Sequence, residues 1–158
     1  MEQLRNLPIG IQTFEDIRKG GFLYVDKTDM IYQIVHAGKP YFLSRPRRFG
    51  KSLLISTFEA YFQGRKELFE GLAIERLEKE WIEYPVLHLD LNAEKYDSAF
   101  RLESMLARHL NLWEDVWGRE EREVTLSDRF IGIIRRAYEQ TGKQVVVLID
   151  EYDKPLLQ

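Results

Sequence analysis

The run VVVLIDEYD, Val145–Asp153, constrains this chain more than any other stretch. Five unbroken apolar residues are followed by two acids. A strand that alternates apolar and polar residues has one wet face. A run without alternation reads as a strand buried on both faces, as in a parallel sheet covered by helices. Parallel neighbours cannot be joined by a tight hairpin, so helical crossovers must be found elsewhere in the chain.

The rest of the sequence supplies them. PVLHLDLN, Pro85–Asn92, reads as a second strand of the same kind, and YFLS, Tyr41–Ser44, and FLYV, Phe22–Val25, read as shorter ones. Between them lie helical patterns. Met30, Ile31, Ile34 and Val35 share one face, begun by Thr28 or Asp29 and stopped by Gly38-Lys39-Pro40. Leu54, Phe58, Tyr61 and Phe62 fall at helix spacing from Lys51 to Gly64, with the aromatics assigned to the core. Leu102, Met105, Leu106, His109 and Leu110 mark another helix, and Phe130, Ile133, Ile134, Ala137 and Tyr138 a last one ending near Gly142. Strands alternating with helices give an α/β class, and 158 residues suit one domain.

Composition narrows the function classes. Hydrophobic residues at 44% and charged ones at 31% describe a folded, soluble type of chain. A net charge of -3 gives no general attraction to nucleic acid or to an anionic membrane, so any basic surface must be local. No apolar run is long enough to span a bilayer. The lack of cysteine excludes disulfides, zinc-thiolate sites and cysteine nucleophiles, and fits a cytoplasmic setting. His36, His88 and His109 lie on separate elements without ligand spacing and are assigned no metal. EDVWGREERE, Glu114–Glu123, reads as a solvated loop with Trp113 and Trp117 tucked against the core.

The chemistry is local to two places. FLSRPRRFGKS, Phe42–Ser52, runs from a strand through a basic loop into a helix. A phosphate-binding loop needs that context, because the first amide groups of a helix turn outward toward an anion. It also needs a lysine for the β- and γ-phosphates and a hydroxyl for Mg²⁺, here Lys51 and Ser52, with Gly50 letting the backbone approach. The usual first glycine is replaced by Arg45, and Pro46, Arg47, Arg48 and Phe49 follow, so Gly50-Lys51-Ser52 by itself is weak evidence and the arginine stretch taken alone is better read as a solvated basic loop.

The second place is the end of the apolar run. Asp150 suits the Mg²⁺ shell, and Glu151 suits a base that orients and deprotonates water. Two halves in this order, each at a strand end, outweigh the bland reading of either. An adjacent aspartate and glutamate, more than one βα unit after the loop, suits ATPases of the AAA+ and related additional-strand group.

Longer stretches carry a resemblance. LPIGIQTFEDIRKGGFLYVDKT (Leu7–Thr28), YFLSRPRRFGKSL (Tyr41–Leu53), LFEGLAI (Leu68–Ile74), PVLHLDL (Pro85–Leu91) and VLIDEYDKPL (Val147–Leu156) together resemble the bacterial AAA-ATPase-like proteins, almost end to end. In that family RPRRFGKS is the loop itself, so Arg45 is a family trait. The resemblance implies ATP and Mg²⁺ at the stretch from Arg45 to Leu53, with Ser52 and Asp150 on the metal, and Lys51 and Glu151 catalytic. It implies a three-layer phosphate-loop sheet, with 1–39 as lead-in and 40–158 as nucleotide-binding core. A strand that would lie beyond Gln158 is expected between the loop strand and the Asp-Glu strand, which makes a chain of these residues alone poorly stable. Family members often continue into a restriction-endonuclease-like nuclease domain. Asp26 and Lys27 are open to two readings, contact with the base or a plain helix cap. Arg47 and Arg48 fit phosphate, a neighbouring subunit in a homo-oligomer, or nucleic acid. Asp153 and Lys154 read as a solvated turn.

Overall fold

The computed structural model describes residues 4–11, 13–38, 51–91 and 98–150. The chain divides into two compact units, Met1–Glu83 and Tyr84–Gln158.

The first unit is helical. It holds α1 (Phe14–Lys19), α2 (Thr28–His36), α3 (Lys51–Phe62), a 3₁₀ turn (Lys66–Phe69) and α4 (Ala73–Leu77). Phe14, Ile31, Ala60, Tyr61, Leu68, Phe69, Leu72 and Ile74 form its buried core, with Phe58 and Phe62 packed against it. The helical spacing of residues 54–62 therefore does face inward, as expected. Gly64 ends α3 with φ +69°, and a Cβ there would lie 3.1 Å from the Trp81 carbonyl, so no other residue fits easily.

Phe22–Val25 is not a strand. The segment is extended, and Leu23 N–H donates to the Asn6 carbonyl at 2.8 Å. One such bond is not a ladder, and the apolar run had signalled only that the segment lies against a core. Its Tyr24 packs on the cluster while Leu23 and Val25 are exposed.

The second unit is mixed α/β. Strands β1 (Val86–Asp90) and β2 (Val146–Asp150) pair in parallel, Val86 opposite Val146 and Asp90 opposite Asp150. The crossover between them contains α5 (Ala99–Trp117) and α6 (Leu126–Thr141). Ser98 and Thr125 cap these helices by accepting the amides of Arg101 and Asp128, and Gly142 closes α6. Leu87, Leu110 and Ile133 meet in one buried cluster, with Trp113, Trp117 and Phe130 around it; Leu91 and Met105 meet in another.

Two expectations are corrected here. The strand at residues 146–150 forms, but it is not buried on both faces: Val147 and Ile149 are 37% and 46% exposed. Their register partners on β1, Leu87 and Leu89, carry the packing against α5 and α6, so the helices seal that strand and leave its neighbour open. The segment 114–123 is a solvated loop only in part, over the mostly exposed residues 118–122. Residues 114–117 complete α5, and the side chains of Glu114 and Glu123 are buried against arginines.

Among the described residues, no helix is long and apolar enough to cross a membrane. The strand expected at Tyr41–Ser44 lies outside the described residues, so the shown sheet has two strands, and the three-layer sheet is an expectation beyond it.

Candidate functional site

Lys51 is the first residue of α3, followed by Ser52 and Leu53. A lysine and a hydroxyl thus stand in the turn whose amides point outward along the axis, where the helix dipole favours negative charge. Leu53 packs its side chain against the core, which anchors that turn from inside. Arg45, Pro46, Arg47, Arg48, Phe49 and Gly50 lie outside the described residues.

Asp150 is the last residue of β2 and is buried, 7% exposed. It stands at the carboxyl edge of a parallel pair, the edge beyond which ligands of open α/β sheets bind. Glu151, Asp153 and Lys154 lie outside the described residues. Lys51, Ser52 and Leu53 belong to the first unit and Asp150 to the second.

The sequence reading passed over Asp90. It ends β1 directly opposite Asp150, so two carboxylates share one strand edge. The signal was in plain sight: VLHLD and VVLID are strands of equal length, each closed by aspartate. A hydroxyl and a carboxylate are hard oxygen donors of the kind Mg²⁺ takes, one or two at a time, beside phosphate and water. Among the described residues, no group of three or more His, Asp or Glu side chains could hold a metal.

Asp26 resolves as a clasp. Its Oδ1 accepts from the Thr28 amide at 2.9 Å and the Thr28 hydroxyl at 2.6 Å, and its Oδ2 accepts from the Ala73 amide at 2.7 Å. Thr28 Oγ1 in turn accepts the Ile74 amide at 3.0 Å. The pair satisfies the first amides of α2 and α4 together. Burial pushes the Asp26 carboxyl up, but these hydrogen bonds hold it below its ordinary value. Its oxygens are spent on backbone and hydroxyl donors, which favours the cap over a base contact. The Asp-x-Thr spacing in YVDKT could have identified it.

His36 lies 4.0 Å from Glu78 and His109 bonds the Met105 carbonyl at 3.1 Å, each on its own element.

The family model described as Predicted AAA-ATPase matches residues 8–158. A relative from Azotobacter chroococcum mcd 1, an uncharacterized protein in vnfD 5'region, is 42% identical over 154 residues. That match takes in 97% of this chain but 30% of the relative, so the chain spans under a third of that protein's length. No solved structure matches. With a match across nearly all its residues, the chain belongs to the predicted AAA-ATPase family.

Proposed function

We propose that this chain binds ATP with Mg²⁺ and contributes the hydrolytic site of an AAA+-like ATPase. Family membership supports the general ATP-binding role. One observation carries the finer reading: Lys51-Ser52 heads a helix, and Asp150 closes a parallel strand directly before Glu151. In this reading Arg45–Leu53 wraps the phosphates and a further strand from Tyr41–Ser44 joins a three-layer sheet.

The roles follow from charge and reach. Lys51 neutralises the β- and γ-phosphates. Ser52 and Asp150 would hold Mg²⁺ through their oxygens, and the bound ion would offset the charge of the phosphates. Glu151 orients a water and takes its proton as the oxygen attacks the γ-phosphorus. The bond to the β–γ bridging oxygen breaks, and ADP leaves with that electron pair.

Calorimetric titration with Mg²⁺-ATP and a phosphate-release assay test this. Lys51→Ala should abolish ATP binding, and Glu151→Gln should bind ATP but release no phosphate. Normal binding by Lys51→Ala would remove the site assignment. A wild-type protein that binds ATP without turnover, and is unaffected by Glu151→Gln, would be a nucleotide-binding regulatory module instead.

A further inference from the structure

The helix that begins at Lys51 is held by an arrangement that packing alone does not require. Ser56 Oγ donates to the Leu53 carbonyl at 2.8 Å, and Thr57 Oγ1 donates to the same oxygen at 2.6 Å. A hydroxyl has one proton to give. Both are committed to Leu53, so any further partner of either hydroxyl must be a donor. Ser56 Oγ accepts the Phe14 amide at 2.9 Å, satisfying an orphan donor in the first turn of α1.

One relay runs from the Phe14 N–H through Ser56 to the Leu53 carbonyl, and the Thr57 hydroxyl is bonded to the same oxygen. Leu53 is one residue past Ser52 and two past Lys51, inside the same helical turn. Fixing its carbonyl fixes the rotation of that turn, and hydroxyls bonded back to a carbonyl one turn earlier can bend a helix. The anchor, Phe14, is the first residue of α1.

We propose that Ser56 and Thr57 are positioning residues for the nucleotide site, aiming Lys51 and Ser52 by fixing the Leu53 carbonyl, which Ser56 ties to the start of α1. This rests on the ATP-binding reading above. Neither residue touches the nucleotide; each acts through the Leu53 peptide.

Packing and positioning make opposite predictions at Thr57, which is 1% exposed. Thr57→Val keeps the shape and loses the hydroxyl. Thr57→Ser keeps the hydroxyl and loses a methyl group. Titration of the folded protein with Mg²⁺-ATP should show affinity about tenfold weaker for Thr57→Val, and within about threefold of wild type for Thr57→Ser, since one hydrogen bond is at stake. Wild-type affinity in Thr57→Val, or a weaker Thr57→Ser than Thr57→Val, would overturn the proposal. Should Thr57→Val melt below the assay temperature, Ser56→Ala tests the tie to Phe14: about fivefold weaker binding supports the proposal, and unchanged binding overturns it. Lys51→Ala separates the two levels. If Lys51→Ala binds ATP normally, the site reading fails; if it loses binding while Thr57→Val does not, only the positioning role fails.

Discussion

The two units are held by different forces. In Met1–Glu83 aromatic rings meet in the interior: Phe69 lies 4.8 Å from Phe14 and 5.2 Å from Trp81 between ring centroids, and Tyr61 meets Trp81 at 5.7 Å. In Tyr84–Gln158 the buried centre is aliphatic, Leu87, Leu110 and Ile133, with Trp113, Trp117 and Phe130 at its margin, and a network of arginines and glutamates joins α5, the loop after it and α6. Arg129 reaches Glu114 and bonds Asn111 at 2.7 Å. Arg136 bonds Glu123 at 2.7 Å and the Gly118 carbonyl at 2.7 Å. Gly132 makes room for this: a Cβ there would lie 1.8 Å from the Glu123 carboxylate. Rings lose area and leave a hole when cut. Buried charges cost little when removed in pairs and much when left alone.

The largest effect should come from Phe69→Ala, which removes a side chain with no exposed surface from the centre of the ring cluster. Urea unfolding should show a loss of about 3–5 kcal/mol. A loss under about 1 kcal/mol would mean that the rings fill space without holding the first unit.

The second test breaks the charge network and then heals it. Arg129→Met strands the buried Glu114, which keeps only the more distant Arg119 at 3.5 Å, and should cost about 2–3 kcal/mol. Adding Glu114→Leu should recover most of it, by the same unfolding measurement. A double variant as weak as the sum of its parts would show that the two side chains are not coupled.

The smallest effect is a matter of pH. Arg136 beside Glu123 holds its carboxyl down to about 2, against an ordinary 4.5. Arg65 and Lys19 hold the more exposed Glu15 of the first unit at about 2 as well. Between those values the folded state binds fewer protons than the unfolded one, so stability is complete above about pH 4.5 and is lost as pH falls toward 2. Melting temperature should fall through that window, and Glu123→Gln should flatten the slope. Glu15→Gln should change it less, with the difference fading in salt, because exposed pairs are screened. Equal slopes for both variants would erase the distinction between the units.

Much of this was legible beforehand. The strands at 86–90 and 146–150 and the helices α2, α3, α5 and α6 follow from apolar spacing and from Gly64 and Gly142 as stops. Lys51 and Ser52 at a helix start and Asp150 at a strand end follow from motif order. What failed shares a cause. Phe22–Val25 has the composition of a strand, but a strand is defined by a partner, and composition does not name one. Glu114 and Glu123 look solvated in a list of charges, yet Arg129 and Arg136 come from fifteen and thirteen residues away to meet them. Charge counted along the chain does not reveal such pairings.

Periodicity and local chemistry therefore determined the elements, their caps and the residue types fit for phosphate. They act within a turn or a strand, over a few residues, where sequence and geometry are nearly the same thing. Contact across the chain decided the rest: that Asp90 stands opposite Asp150, that Asp26 serves two helix starts, and that Phe14 is tied through Ser56 to the turn after Lys51. Those depend on which partner a buried polar group finds. That choice is made when the chain packs, because an unpaired polar group in the interior costs more than any local preference supplies.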